Sequence, residues 1–146
     1  PGMAGRLFGL PFSETEASLV VVPVPWEVTV SYGSGTANGP EAILQASLQV
    51  DLFSIDSPHV WKKGIWLSPL PEALREQSEQ FRQKALEHIN LLSTGGNSEA
   101  SLHLPQINAA CESLNIYVKN TTAGLLQRGK LVGLLGGDHS TPLGFL

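Results

Sequence analysis

Two short apolar runs constrain this chain more than anything else in it. Leu19-Val20-Val21-Val22-Pro23-Val24 and Leu131-Val132-Gly133-Leu134-Leu135 are continuously apolar, without the alternation of a half-exposed strand. Runs of this kind read as buried strands. Gly64-Ile65-Trp66-Leu67 is a shorter third candidate. Helical periodicity fills the spaces between them. Pro40 suits a first helical turn, where its missing N–H costs nothing, and Ile43, Leu44, Ser47 and Leu48 mark one face to about Val50. Pro71 opens a second helix with Leu74, Phe81, Ala85, Ile89 and Leu92 on one stripe. Its charged residues, Glu72, Arg75, Glu76, Glu79, Arg82 and Lys84, read as solvated surface, and Gly95-Gly96-Asn97 ends it. A third helix follows Pro105, with Ile107, Ala110, Cys111, Leu114, Val118, Thr121 and Leu125 in register and Gly129 as the stop. Strands separated by helices predict parallel βαβ units, an α/β fold. Ligands of such sheets bind at the carboxyl ends of the strands.

Charge narrows the partners. Lys and Arg number 9 against 13 Asp and Glu, a net charge of −4. Nucleic acid is bound chiefly by neutralising phosphates, so no nucleic-acid partner is expected. No apolar run approaches the roughly 20 residues of a bilayer-spanning helix, so no membrane partner is expected either. The first residues lack the charged and apolar regions of a secretory signal. Cys111 is the single cysteine and has no internal partner. A reducing, cytoplasmic setting is the expectation.

Several motif-like strings fail on context. Gly33, Gly35 and Gly39 are spaced G-x-G-x-x-x-G, one residue too many for a dinucleotide fingerprint, and they lie far beyond the strand. Gly124 to Lys130 spells G-x-x-x-x-G-K without the Ser or Thr, between a helix and a strand rather than the reverse. Asn120-Thr121-Thr122 matches a glycosylation sequon but falls inside a predicted helix. His59, His88 and His103 show no ligand-like spacing, and Trp26, Trp61 and Trp66 read as packing residues. Gly136-Gly137-Asp138-His139-Ser140 is different. Two glycines after a buried strand allow a tight turn and close backbone approach, and a carboxylate, an imidazole and a hydroxyl follow at once. The pentapeptide alone leaves two readings open: a strand end with an Asp cap, or a site.

Leu134-Leu135-Gly136-Gly137-Asp138-His139-Ser140 resembles the first metal-ligand motif of the ureohydrolase superfamily, the arginase and agmatinase family. Far upstream, Pro23-Val24-Pro25-Trp26, Thr29-Val30-Ser31-Tyr32 and Gly39-Pro40-Glu41-Ala42-Ile43 are similar to the agmatinase-type first strand, its loop and its first helix. The resemblance runs from about Leu19 to Leu146, and Thr141-Pro142-Leu143-Gly144 looks more agmatinase-like than arginase-like. It implies a three-layer α/β/α sandwich around a mostly parallel sheet and a site for two manganese ions. In that family a hydroxide bridging the metals attacks the guanidinium carbon and releases urea and an amine. The resemblance implies that His139 ligates one metal. Gly136, Gly137, Asp138 and Ser140 are then residues that support the ligand or form its turn, and Ser31, Tyr32 and Asn38 are candidates to line the pocket mouth. A small guanidino substrate and a homo-oligomer are implied as partners.

The sequence departs from the family in one respect. Later motifs of the Asp-x-His-x-Asp and Ser-x-Asp-x-Asp types are absent, and the Asp residues are Asp51, Asp56 and Asp138 alone. One histidine cannot hold two divalent cations. The expectation is an N-terminal tail, 1–18, followed at 19–146 by the N-terminal part of a single α/β domain, truncated after its first metal-ligand motif and inactive by itself. The apolar stub Thr141 to Leu146 after an open-edged strand points the same way. The alternative is a truncated or degenerate, non-catalytic member acting as a binding subunit. Within the enzyme class, arginase or formiminoglutamase activity is the other option.

Overall fold

A computed structural model of the chain describes residues 2–30, 33–95 and 103–146. Its sheet has three parallel strands, β1 (Leu19–Pro23), β2 (Ile65–Leu67) and β3 (Leu131–Leu135), in the spatial order β2-β1-β3. The first strand is therefore the central one. Val20 pairs with Trp66 on one side and Val132 on the other, and Pro23 lies opposite Leu135. The predicted βαβ architecture is present as an incomplete α/β fold. Helices α1 (Gly39–Ala46), α2 (Glu72–Ser93) and α3 (Leu104–Gln127) make the crossovers.

Alternation along β1 decides where the core sits. Val20, Val22 and Val24 point to one face and are fully buried, clustered with Leu74 and Ala85 of α2 and Ile107, Leu114, Val118 and Leu125 of α3. Leu19 and Val21, of opposite parity, are only partly covered. Trp26 and Val28, just past the strand, complete the cluster. Ahead of β1, Leu7 and Leu10 are buried, and the Arg6 guanidinium lies 4.4 Å from the centroid of the Trp66 ring. Lys130 secures the amino edge by donating to the carbonyls of Thr15 (2.8 Å) and Ala17 (2.7 Å).

Four sequence readings need correction. β3 is not a buried strand: Leu131 is 68% exposed, because β3 has a single neighbour among the described strands. The expected first helix ends at Ala46 and continues as a 3-10 turn, Ser47–Gln49. Its expected face is largely solvent-exposed at Ile43 and Leu48, and Ser47 is the buried member, its hydroxyl accepting from the Phe8 N–H at 2.9 Å. In α2 the stripe stops at Ala85, and Ile89 and Leu92 are exposed. The reason is length. The 22 residues of α2 reach ~33 Å, whereas the five of β1 span ~17 Å, so the last turns overrun the sheet. Finally, Arg82 is not a solvated charge; its partners are described below. Gly95 follows α2 as expected, with a φ of 75°, while Gly96 and Asn97 lie outside the described residues.

These burials predict a contrast. Leu114→Ala should cost about 2–5 kcal/mol, as for other buried leucines, whereas Leu92→Ala should stay within about 0.5 kcal/mol. Urea denaturation midpoints check both, and an equal cost at the two positions would contradict the assigned core.

Candidate functional site

Parallel strands send their carboxyl ends to the same edge of a sheet, so the loop after β1 and the turn after β3 leave side by side. The ladder runs one residue past β1, with Val24 N–H donating to the Leu135 carbonyl at 2.9 Å. From there the two segments are tied repeatedly. Asp138 N–H donates to the Trp26 carbonyl at 2.8 Å, and Gly137 N–H to the Thr36 carbonyl at 3.3 Å.

The two glycines are required by this approach. Gly137 has a φ of 82°, and a Cβ placed there would come within 2.8 Å of the Val24 carbonyl oxygen and 2.9 Å of that of Trp26. Gly136, at a φ of 98°, lies against the Pro40 ring. Side chains could not be accommodated at either position without moving backbone.

The Asp138 carboxylate is committed to the same structure. Oδ1 accepts from the Ser140 N–H at 2.9 Å and from the Ser140 hydroxyl, closing an Asx turn. Oδ2 accepts from the N–H and the hydroxyl of Thr29, both at 3.3 Å. The Asp138 carbonyl accepts from Thr141 N–H at 3.2 Å. His139 sits at the tip of this turn, exposed, and makes no hydrogen bond to the other described residues. Cys111, on the partly buried side of α3, has its thiol pKa raised by burial and by the Asp138 charge. It is a protonated thiol beside the turn.

Sequence reading overlooked Glu27 and Arg82. Glu27 Oε2 accepts from the N–H groups of Gly35 (2.7 Å) and Ala37 (3.0 Å) and from the Thr36 hydroxyl (3.2 Å). Its own N–H donates to the Ser78 hydroxyl of α2 at 2.9 Å. Arg82, one turn further along α2, donates from Nη1 to the carbonyls of Val28 (3.2 Å) and Val30 (2.8 Å). A signal for this did exist: Ser78 is a hydroxyl on the buried stripe of α2, where a polar group needs a partner. The partners themselves are 51 to 54 residues away, and no local pattern specifies them.

Asn38 and the loop around it line a cavity of about 490 Å³ together with Glu27, Ser34, Ser78 and Arg82. His139 is not among its lining residues. Ser31 and Tyr32 lie outside the described residues. Among the described residues no three His, Cys, Asp or Glu side chains come together in a way that could hold a metal ion. His103, just ahead of α3, has its Nε2 3.1 Å from Glu87 Oε2 of α2. An exposed imidazole is a suitable donor to manganese, but carboxylate oxygens would have to complete the set. Asp138 already accepts four hydrogen bonds. The described residues therefore fit one ligand of a metal site and not a whole one.

Glu27 carries a pH dependence. Burial disfavours its charge, but the N–H groups of Ala37 and Gly35, the Thr36 hydroxyl and the Arg82 charge outweigh that, and the pKa falls below the usual carboxylate value. A depressed folded-state pKa means that the stabilisation is present above the unfolded value, roughly 4.3. It is lost as pH falls through the folded value. Glu27→Gln should therefore melt below the parent chain at pH 7, and the gap should close as the pH is taken down through and below the ordinary carboxylate range. A gap that stays constant with pH would contradict the ionised clamp.

Comparison with known proteins adds the lineage. The family model described as "Arginase family" matches residues 17–146. An N(1)-aminopropylagmatine ureohydrolase of Synechocystis sp. is 49% identical over 132 residues, covering 90% of this chain and 34% of that protein. A protein of the same name from Thermus thermophilus is 32% identical over 114 residues, covering 70% of this chain and 37% of that protein. The chain thus spans about a third of the length of these relatives. No solved structure matches significantly. With the parallel sheet and the strand-end turn at Gly136 to Ser140, the match over 17–146 shows that the chain belongs to the arginase family.

Proposed function

We propose that this chain forms part of a manganese-dependent ureohydrolase that cleaves a guanidino compound of the agmatine type into urea and an amine. In this reading His139 supplies an imidazole ligand to one of two metal ions. The observation that carries it is the setting of His139: an uncommitted imidazole at the carboxyl end of a parallel strand, on a turn held by Asp138 and two glycines. The names of the relatives favour an N-aminopropyl derivative of agmatine as the first substrate to try.

The chemistry explains why such an enzyme needs metal. The guanidinium carbon is a poor electrophile because three nitrogens share its charge, and neutral water is a poor nucleophile. Divalent cations, with His139 as one ligand, would supply a water of lowered pKa as the nucleophile. What this chain's own residues contribute is placement. Asp138 and Ser140 shape the turn, Gly136 and Gly137 let it approach the β1 loop, and His139 is left pointing to solvent. Ser31, Tyr32 and Asn38 belong to the loop proposed to border the pocket mouth. The carboxylate ligands would come from outside the described residues. A homo-oligomer in a reducing, cytoplasmic compartment completes the reading.

The test is urea release by the protein expressed from its full reading frame, with manganese and with N(1)-aminopropylagmatine, agmatine and arginine in turn. His139→Ala should lower turnover by at least about 100-fold, since loss of even an outer-shell partner costs 10–100-fold. Two manganese ions per chain should be found in the parent protein. No urea from any guanidino or formimino substrate would overturn the reaction, and undiminished activity in His139→Ala would overturn the ligand role. A metal-free protein that associates stoichiometrically with another chain would favour the binding-subunit alternative.

A further inference from the structure

The two clamps in the β1 loop have a geometry that simple loop stiffening does not require. The Glu27 carboxylate grips the N–H groups of Gly35 and Ala37, the residues on either side of Thr36. The carbonyl of Thr36 is the one that accepts from Gly137 N–H. Arg82 grips the carbonyls of Val28 and Val30, the residues on either side of Thr29. The N–H and hydroxyl of Thr29 are the groups that reach Asp138 Oδ2. Each charged side chain therefore brackets one of the loop residues that tie the loop to the His139 turn. A third tie runs alongside, since Asp138 N–H meets the carbonyl of Trp26, the neighbour of Glu27.

We infer that Glu27 and Arg82 are a paired set of positioning residues for His139, acting through Thr36 and Thr29 and anchored on helix α2. The role assigned to His139 rests on the ligand reading above; the mechanical coupling does not.

Charge makes the pair effective. Hydrogen bonds with one ionised partner are about twice as strong as neutral ones. Arg82 spans two carbonyls from one nitrogen, and Glu27 gathers three donors on one oxygen, so the loop is held at two points, Val28 with Val30 and Gly35 with Ala37. The anchor is rigid because Arg82 and Ser78 belong to the 22-residue helix α2, and Ser78 is fully buried. A ligand held by a supported turn loses affinity when the support loosens, by 10–100-fold for typical outer partners.

The experiment is amide hydrogen exchange by mass spectrometry on the full protein, comparing the parent with Glu27→Gln, Arg82→Met and Arg82→Lys. Exchange at 136–141 should rise by about tenfold or more in the first two variants, while 107–125 of α3 stays protected. Arg82→Lys keeps a positively charged nitrogen donor, a compact ammonium in place of the guanidinium, and it should retain part of the protection. Manganese affinity, titrated separately, should fall by about 10–100-fold in the same two variants. Faster exchange at 33–38 with none at 136–141 would overturn the coupling. Faster exchange at 136–141 with manganese affinity unchanged would overturn the positioning role. Absence of urea from the parent protein would count against the reaction alone, because the exchange measurement does not depend on it.

Discussion

The position of β1 between two parallel partners is the constraint on which the rest of the molecule depends. Because β1 is central, its side chains of even parity have helices to pack against along their whole length, and Val20, Val22 and Val24 are fully buried. Because both pairings are parallel, the carboxyl ends of β1 and β3 emerge together, with Pro23 opposite Leu135. The loop from Val24 and the turn from Gly136 are then adjacent before any of their own contacts are counted. Their contacts turn that adjacency into a defined geometry. A backbone that leaves a sheet must place its N–H and C=O groups somewhere. Here those of residues 26, 36, 137 and 138 satisfy one another across the gap between the two segments.

How much of this was legible depended on the range of the interaction. The strands and long helices were readable because apolar runs and helical stripes are local signals, and the parallel arrangement followed from their alternation. Where the stripe reading overreached, at Ile89 and Leu92, the periodicity was correct and the neighbour was missing. A sequence shows which face of a helix is apolar but not how far the sheet beneath it extends. The exposure of Leu131 has the same origin, since composition does not say whether a strand lies at an edge. The family itself was legible from two motifs, and the match over 17–146 agrees with it. Glu27 and Arg82 were not legible because their partners are loop backbone groups. Backbone groups carry no residue identity, and only the folded paths of residues 28–30 and 33–37 bring them within reach.

The pentapeptide after β3 left two readings open in the sequence, a structural turn or a site, and the geometry separates them residue by residue. Gly136 and Gly137 are accounted for by close approach to Pro40 and to the carbonyls of Val24 and Trp26. Asp138 is accounted for by four accepted bonds, two to Ser140 and two to Thr29. Ser140 is the partner that closes the turn. Those four residues would be needed to make this chain reversal even if it did no chemistry. His139 is not needed for it: its side chain is exposed and bonds to no other described residue. An imidazole there adds nothing to the turn that a serine or lysine could not, while the bonds of Asp138, Ser140 and Thr141 place it at the edge of the sheet where a parallel α/β fold binds ligands. The structural reading of the motif therefore leaves the proposed functional reading resting on His139 alone. The first describes four of its residues and explains why the fifth is held where it is.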